Sequence, residues 1–213
     1  MKKLFAIMLA LYGVAFAACP DLYPNGKPLS VPDTVELCSG FYVSMYDTNN
    51  KAVIAVSEKL ISGKVGSVKR KDAFRPDDRL GKAGPKLSDY LRSGYDRGHM
   101  APADDASSDE EMFSTFLLSN MTPQNPKLNE IAWRLLEDKV RKLTVTQNIW
   151  VLTIAIYSHA ERLNGIPIPN GYWKIVYRTD GMDYYYADNN ALAKIQTMSP
   201  VDVGRLLENA GNF

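Results

Sequence analysis

Charge of either sign is nowhere in surplus in this chain, in which 25 basic residues nearly cancel 24 acidic ones. Without Lys2 and Lys3, 23 basic residues face the same 24 acidic ones. Overall charge therefore gives no argument for a nucleic-acid partner, which would need a local basic patch. Residues 64–75 offer one, with Lys64, Lys69, Arg70, Lys71 and Arg75; a solvated loop between two elements explains the same residues. Long apolar runs are missing beyond the N-terminus, which argues against a membrane-spanning helix. Repeats and low-complexity tracts are also missing. A composition of 46% hydrophobic and 23% charged residues over 213 positions suits one well-buried domain.

Cysteine is limited to two residues, Cys19 and Cys38. So distant a pair does not read as metal-binding or catalytic, and the N-terminus suggests why it is there. Lys2 and Lys3 precede an apolar stretch from Leu4 to Phe16, and Ala15-Phe16-Ala17 places small residues where a signal peptidase reads. This predicts a signal peptide over 1–17, cleavage after Ala17, and a single domain over 18–213 that is periplasmic or secreted. A lipoprotein signal ending at Cys19 is the competing reading, although Phe16 stands where such signals usually carry Leu. In an oxidising compartment the two cysteines pair. The bridge would close a proline-rich loop of about twenty residues and stabilise the fold by roughly 3 kcal/mol.

The element pattern is mixed. Phe41–Tyr46 and Ala52–Ser57 read as a β-hairpin, and Tyr172–Arg178 and Met182–Ala187 flank Thr179-Asp180-Gly181 as a second one. Asn148–Tyr157 reads as a buried central strand. Ser108 followed by Asp109-Glu110-Glu111 caps a short helix, which already accounts for the acidic group between Asp104 and Glu111 without a metal. Lys127–Leu143 carries apolar residues at helical spacing and ends in Arg141 and Lys142. Ser199-Pro200 starts a last helix that stops around Gly211. Without a βαβ rhythm, the fold class is α+β, a largely antiparallel central sheet flanked by helices.

Histidine is as scarce as cysteine, with His99 and His159 alone. His159 has no ionisable partner beside it that suggests chemistry, and is given a structural role. His99 closes Asp96-Arg97-Gly98-His99, where an arginine can pin a phosphate while the imidazole takes a proton from water. The arginine charge should also lower the histidine pKa. Further on, Asn129, Trp133 and Glu137 are four apart, along one helical stripe. Trp133 reads as core. The asparagine carbonyl and glutamate carboxylate are hard oxygen donors suited to Mg²⁺, which keeps most of its water. By themselves these residues make phosphoryl chemistry plausible, not proven.

The constellation Asp96-Arg97-Gly98-His99, Asn120 to Gln124, and then Asn129, Trp133 and Glu137 resembles the DNA/RNA non-specific endonucleases of the ββα-metal class. The likeness extends to Asp89-Tyr90, Ser93-Gly94-Tyr95 and the Gly165–Lys174 segment with Pro169; Met100 departs from the branched apolar residue common there. The resemblance implies a ββα-metal motif, with His99 as general base and Asn129 as the direct protein ligand of Mg²⁺, or of Mn²⁺ in its place. It implies that Glu137 holds water on the metal, that Arg97 and Arg141 bind phosphate, and that Asn120 shapes the site. Gln124 joins the substrate-binding set, and Arg70 is the candidate from the basic segment, with Lys69 or Arg75 as its substitutes. Cleavage of DNA and RNA would leave 5′-phosphate and 3′-hydroxyl ends with little sequence preference. A homodimer and an inhibitor protein stay open as partners. Two other functions remain in view: a phosphodiesterase for small diesters, and a non-catalytic periplasmic DNA-binding protein.

Overall fold

The computed structural model describes residues 19–158 and 160–202. The expected signal peptide, most of the last helix and His159 lie outside the described residues. The chain runs through β1 (Thr34–Ser39), β2 (Tyr42–Asp47), β3 (Ala52–Leu60), β4 (Asp96–His99), helix α1 (Asp109–Thr115), β5 (Met121–Gln124) and helix α2 (Arg134–Leu143). Six further strands follow: β6 (Ile149–Ile156), β7 (Arg162–Leu163), β8 (Ile166–Pro167), β9 (Gly171–Arg178), β10 (Gly181–Asp188) and β11 (Gln196–Met198).

Seven strands form one sheet in the order β1-β2-β3-β6-β9-β10-β11, with every adjacent pair antiparallel. The fold is α+β, as the mixed pattern predicts. Both hairpins are present. Asp47 lies opposite Ala52, and its Oδ1 accepts the N–H groups of Asn49 and Asn50 at 2.8 and 2.9 Å. Arg178 lies opposite Gly181 across a two-residue turn. Gly181 has φ 154°, in the region that favours glycine. The edge strands β1 and β11 were not visible in the sequence pattern; each is short or only half buried.

One face of the sheet carries Val56, Leu60, Ile149, Val151, Tyr172 and Val176, packed against Trp133, Leu136 and Val140 of the helical layer. The opposite face carries Val43, Met45, Ala55, Leu152 and Ile175, covered by Leu22 and Tyr23 of the N-terminal segment. Cys19 and Cys38 are joined, with Cα atoms 6.2 Å apart, and so fasten that covering segment to β1. Removing the bridge in a Cys19→Ala/Cys38→Ala variant should cost roughly 3 kcal/mol, a fall of about 6–12 °C in melting temperature for a chain of this size. Calorimetry of oxidised wild type beside the variant checks this; coincident melting curves would show that the apolar contacts alone hold the segment.

Helix α1 is capped as expected, Ser108 Oγ accepting the Glu111 N–H at 3.1 Å. The return half of the box is displaced by one residue, because Glu111 Oε2 accepts from the N–H and hydroxyl of Ser107. The long helical stretch also differs from expectation. Leu128–Trp133 is a π turn that runs straight into α2. A π turn inserts one residue into the helical repeat, so spacing alone misplaces the side chains at its start. Apart from the main sheet, β4 and β5 pair antiparallel, His99 opposite Met121 and Asp96 opposite Gln124. Two strands followed by this helix make the ββα arrangement that holds the site.

Candidate active site

Gly98 is the reason β4 can lie where it does. A Cβ there would sit 2.5 Å from the Cβ of Gln124, whose side chain folds over the glycine from the neighbouring strand. The close approach seats His99 at the end of β4, its ring edge-on to Phe116 at 5.0 Å and tilted against Phe74 at 5.8 Å. The Nε2 atom is buried without a hydrogen-bond partner. Burial, chiefly, and then the nearby charges of Arg70 and Arg97 lower the imidazole pKa to about 3. The ring is thus neutral at any ordinary pH. The direction is the one expected from Arg97, but desolvation rather than the arginine charge is the main cause.

A cavity of about 490 Å³ opens beside the ring. Its walls include Arg70, Arg97, His99, Asn129 and Glu137, so five of the eight residues singled out in the sequence converge on one space. Arg97 lies over the Phe74 ring at 3.9 Å. Arg70 is paired with Asp72 at 2.8 Å, both well exposed, a contact that solvent and salt weaken. Asn129 Nδ2 donates to Asp96 Oδ2 at 2.9 Å, which leaves the amide carbonyl oxygen as the atom it can offer the cavity. Glu137 Oε1 is buried with no hydrogen bond, and Lys174 Nζ stands 3.9 Å from it. Burial pushes the Glu137 carboxyl up to about 7, against the opposing pull of Lys174.

These residues fit a hydrated divalent cation. The Glu137 carboxylate and an amide oxygen fixed by Asp96 are hard donors on one wall, and Asp104 and Glu130 also line the cavity. Among the described residues no group of three His, Cys, Asp or Glu side chains forms a ligand cage. A site built this way suits Mg²⁺, which is held by few protein atoms and keeps its water.

Three expected residues do not line the cavity. Asn120 is fully buried, accepting the Ala101 N–H and donating to Ala101 O and Thr115 O, each at 2.9 Å. It ties the chain after His99 to the end of α1. Gln124 is buried against Gly98. Arg141 is committed to Asp105 at 2.7 Å and to Asp138 at 2.7 Å. Asp138 is its neighbour one turn back on α2, a spacing visible in the sequence, whereas Asp105 comes from a loop that no local spacing connects to it. Phe74, Asp96 and Arg134 line the cavity as well. Asp96 was in the motif and could have been assigned from its carboxylate; Phe74 and Arg134 had no sequence signal of their own.

The two perturbed groups act oppositely on stability. Glu137 has a folded pKa near 7, above its ordinary 4.5, so its contribution is full below pH 4.5 and is lost as pH rises through 7. His99 has a folded pKa near 3, below its ordinary 6.5, so its contribution is full above 6.5 and is lost as pH falls. Thermal melts of metal-free protein should therefore show Glu137→Gln gaining on wild type between pH 5 and 8. Parallel pH profiles for the two proteins would mean that Glu137 is ionised normally.

The DNA/RNA non-specific endonuclease family model matches residues 20–207. A nuclease from Nostoc sp. is 35% identical over 150 residues, covering 68% of this chain and 55% of that protein. A nuclease from Syncephalastrum racemosum is 32% identical over 195 residues, covering 79% and 60%, so the chain spans little more than half the length of these relatives. Mitochondrial endonuclease G of Homo sapiens is 39% identical over 117 residues, covering 53% and 39%. The crystal structure of the EndoG/EndoGI complex, described as showing the mechanism of EndoG inhibition, contains a chain with a TM-score of 0.70 and 30% identity, covering 80% of this chain and 82% of that one. With the family match extending over nearly all the described residues, the chain belongs to the DNA/RNA non-specific endonucleases.

Proposed function

We propose that this protein is a metal-dependent endonuclease that hydrolyses phosphodiester bonds of DNA and RNA, with His99 as general base. The observation that carries the reading is the convergence of a neutral, desolvated histidine, two arginines, Asn129 and Glu137 on one cavity. His99 takes a proton from the attacking water; burial keeps its ring unprotonated and ready to accept. Arg97, stacked on Phe74, and Arg70 hold the phosphate, and Arg134 extends the cationic rim. Arg141 reaches a phosphate only by giving up Asp105 or Asp138, so it serves here to tie the loop at Asp105 to α2. Gln124 contributes by closing over Gly98, and Asn120 by fixing the segment after His99.

Asn129 and Glu137 would hold Mg²⁺, with Mn²⁺ as a substitute. When bound, the ion supplies charge neutralisation for the scissile phosphate and the leaving 3′-oxygen, giving 5′-phosphate and 3′-hydroxyl products. Contacts through arginine to phosphate carry no base information, which supports low sequence preference. The disulfide supports export to the periplasm or beyond. An inhibitor protein is a partner in keeping with the EndoG/EndoGI complex, and a homodimer belongs to the same reading.

The test is incubation of the purified protein with supercoiled plasmid and with RNA, in Mg²⁺ and in chelator. Degradation of both polymers only with metal is the expected result. Cleavage of a small diester with both polymers intact would instead make it a phosphodiesterase. Binding of DNA that survives chelation without cleavage would make it a binding protein.

A further inference from the structure

Lys174 is an anomaly of the main sheet. It lies on β9 opposite Thr153 of β6, within the apolar face formed by Val56, Val151, Tyr172 and Val176, and only 1% of it is exposed. A buried ammonium group is costly, and a hydrophobic residue of similar volume generally serves stability as well or better. Packing therefore does not explain it. Its Nζ donates to Thr153 Oγ1 at 2.9 Å and stands 5.2 Å from the centre of the Trp133 ring. Its ion-pair partner is Glu137 Oε1, at 3.9 Å, the carboxylate oxygen that has no hydrogen bond.

Other charged groups surround this pair. Arg141 of α2 is held by Asp105 and Asp138. Glu58 of β3 is fully buried with Oε2 unpartnered, and burial raises its carboxyl well above the ordinary range against the pull of Lys174. Asp105 is likewise raised, first by burial and against the pull of Arg141. Asp104 sits at the cavity edge. Among the described residues the ion pair of Lys174 is with Glu137, at 3.9 Å.

We propose that Lys174, braced by Thr153, is a positioning residue that holds the Glu137 carboxylate from behind so that its free edge faces the cation site. The inference rests on the metal-dependent nuclease reading. It assigns the lysine a role in metal affinity rather than in contact with nucleic acid, which it cannot reach from the sheet.

Binding of Mn²⁺ alone, followed by the loss of the free-ion paramagnetic resonance signal, tests it without catalysis. Wild type, Lys174→Met, Thr153→Val, Glu137→Gln and the Glu137→Gln/Lys174→Met double variant are titrated, with melting curves to establish folding. Partners that orient a metal's surroundings are typically worth 10–100-fold in affinity, so Lys174→Met should lose about that much and Thr153→Val a smaller amount. In the Glu137→Gln background the lysine substitution should add nothing, because both residues act through one contact. Unchanged affinity in Lys174→Met, or an equal loss in both backgrounds, overturns the proposal. If Lys174→Met does not fold, unchanged affinity in Thr153→Val overturns it. Plasmid cleavage by wild type is scored alongside: a wild type that neither binds Mn²⁺ nor cuts refutes the nuclease reading and this proposal with it, whereas a cutting wild type with an unaffected Lys174→Met refutes only the latter.

Discussion

His99→Ala should lower the turnover of plasmid and RNA by about 10²–10⁴-fold, the usual cost of losing a general base. The argument is one of supply. Among the described residues His99 is the only histidine lining the cavity. The imidazole is kept neutral by burial between Phe74 and Phe116 and by two arginines. Its proton-accepting form is therefore fully populated at neutral pH, and the acid limb of wild-type activity should not carry the ordinary histidine pKa of about 6.5. Since the ring packs on two phenylalanines, the variant should be checked by circular dichroism and melting before rates are compared. A folded His99→Ala protein with turnover within a factor of ten of wild type would remove the histidine from the chemistry.

Asn129 is the second position where a large loss is expected, and here the choice of substitute matters. Its Nδ2 donates to Asp96 Oδ2, so the amide is held by one end while the carbonyl oxygen is left for the cation. Asn129→Ala removes the ligand atom and should reduce cleavage at limiting Mg²⁺ by at least about 10²-fold, since even indirect partners of a metal are worth 10–100-fold. Asn129→Asp restores an oxygen donor but should not rescue. It has no N–H for Asp96 and sets two carboxylates side by side, which repel and favour protonation of one. Rates measured against Mg²⁺ concentration separate the cases: a loss that excess metal recovers is one of affinity. An Asn129→Asp protein as active as wild type at every Mg²⁺ concentration would mean that the Asp96 contact does not position the ligand.

How much of this was legible beforehand varies with the range of the interaction. The two hairpins, the cap at Ser108 and the pairing of Cys19 with Cys38 follow from residues close in sequence or from simple scarcity. Gly98 is intelligible in the motif, yet its cause is a side chain twenty-six positions away, on Gln124. The π turn at Leu128–Trp133 leaves no mark in hydrophobic spacing, because one inserted residue shifts the phase by less than the width of an apolar stripe. Arg141 looked like a phosphate ligand by its place in the pattern. The partner that occupies it, Asp105, is brought there by a loop that no periodicity describes.

By itself the sequence determined which residue types were available and in what order: one motif histidine, an asparagine and a glutamate eight positions apart, and two cysteines that could only pair with each other. Those are local or combinatorial facts, and short-range sterics and scarcity settle them. Tertiary structure alone decided that burial rather than charge dominates the His99 environment, that Asn129 is oriented by Asp96, and that Lys174 comes up through the sheet to face Glu137. Desolvation and through-space contact depend on which distant segments exclude water from a side chain, and that is a property of the packed chain.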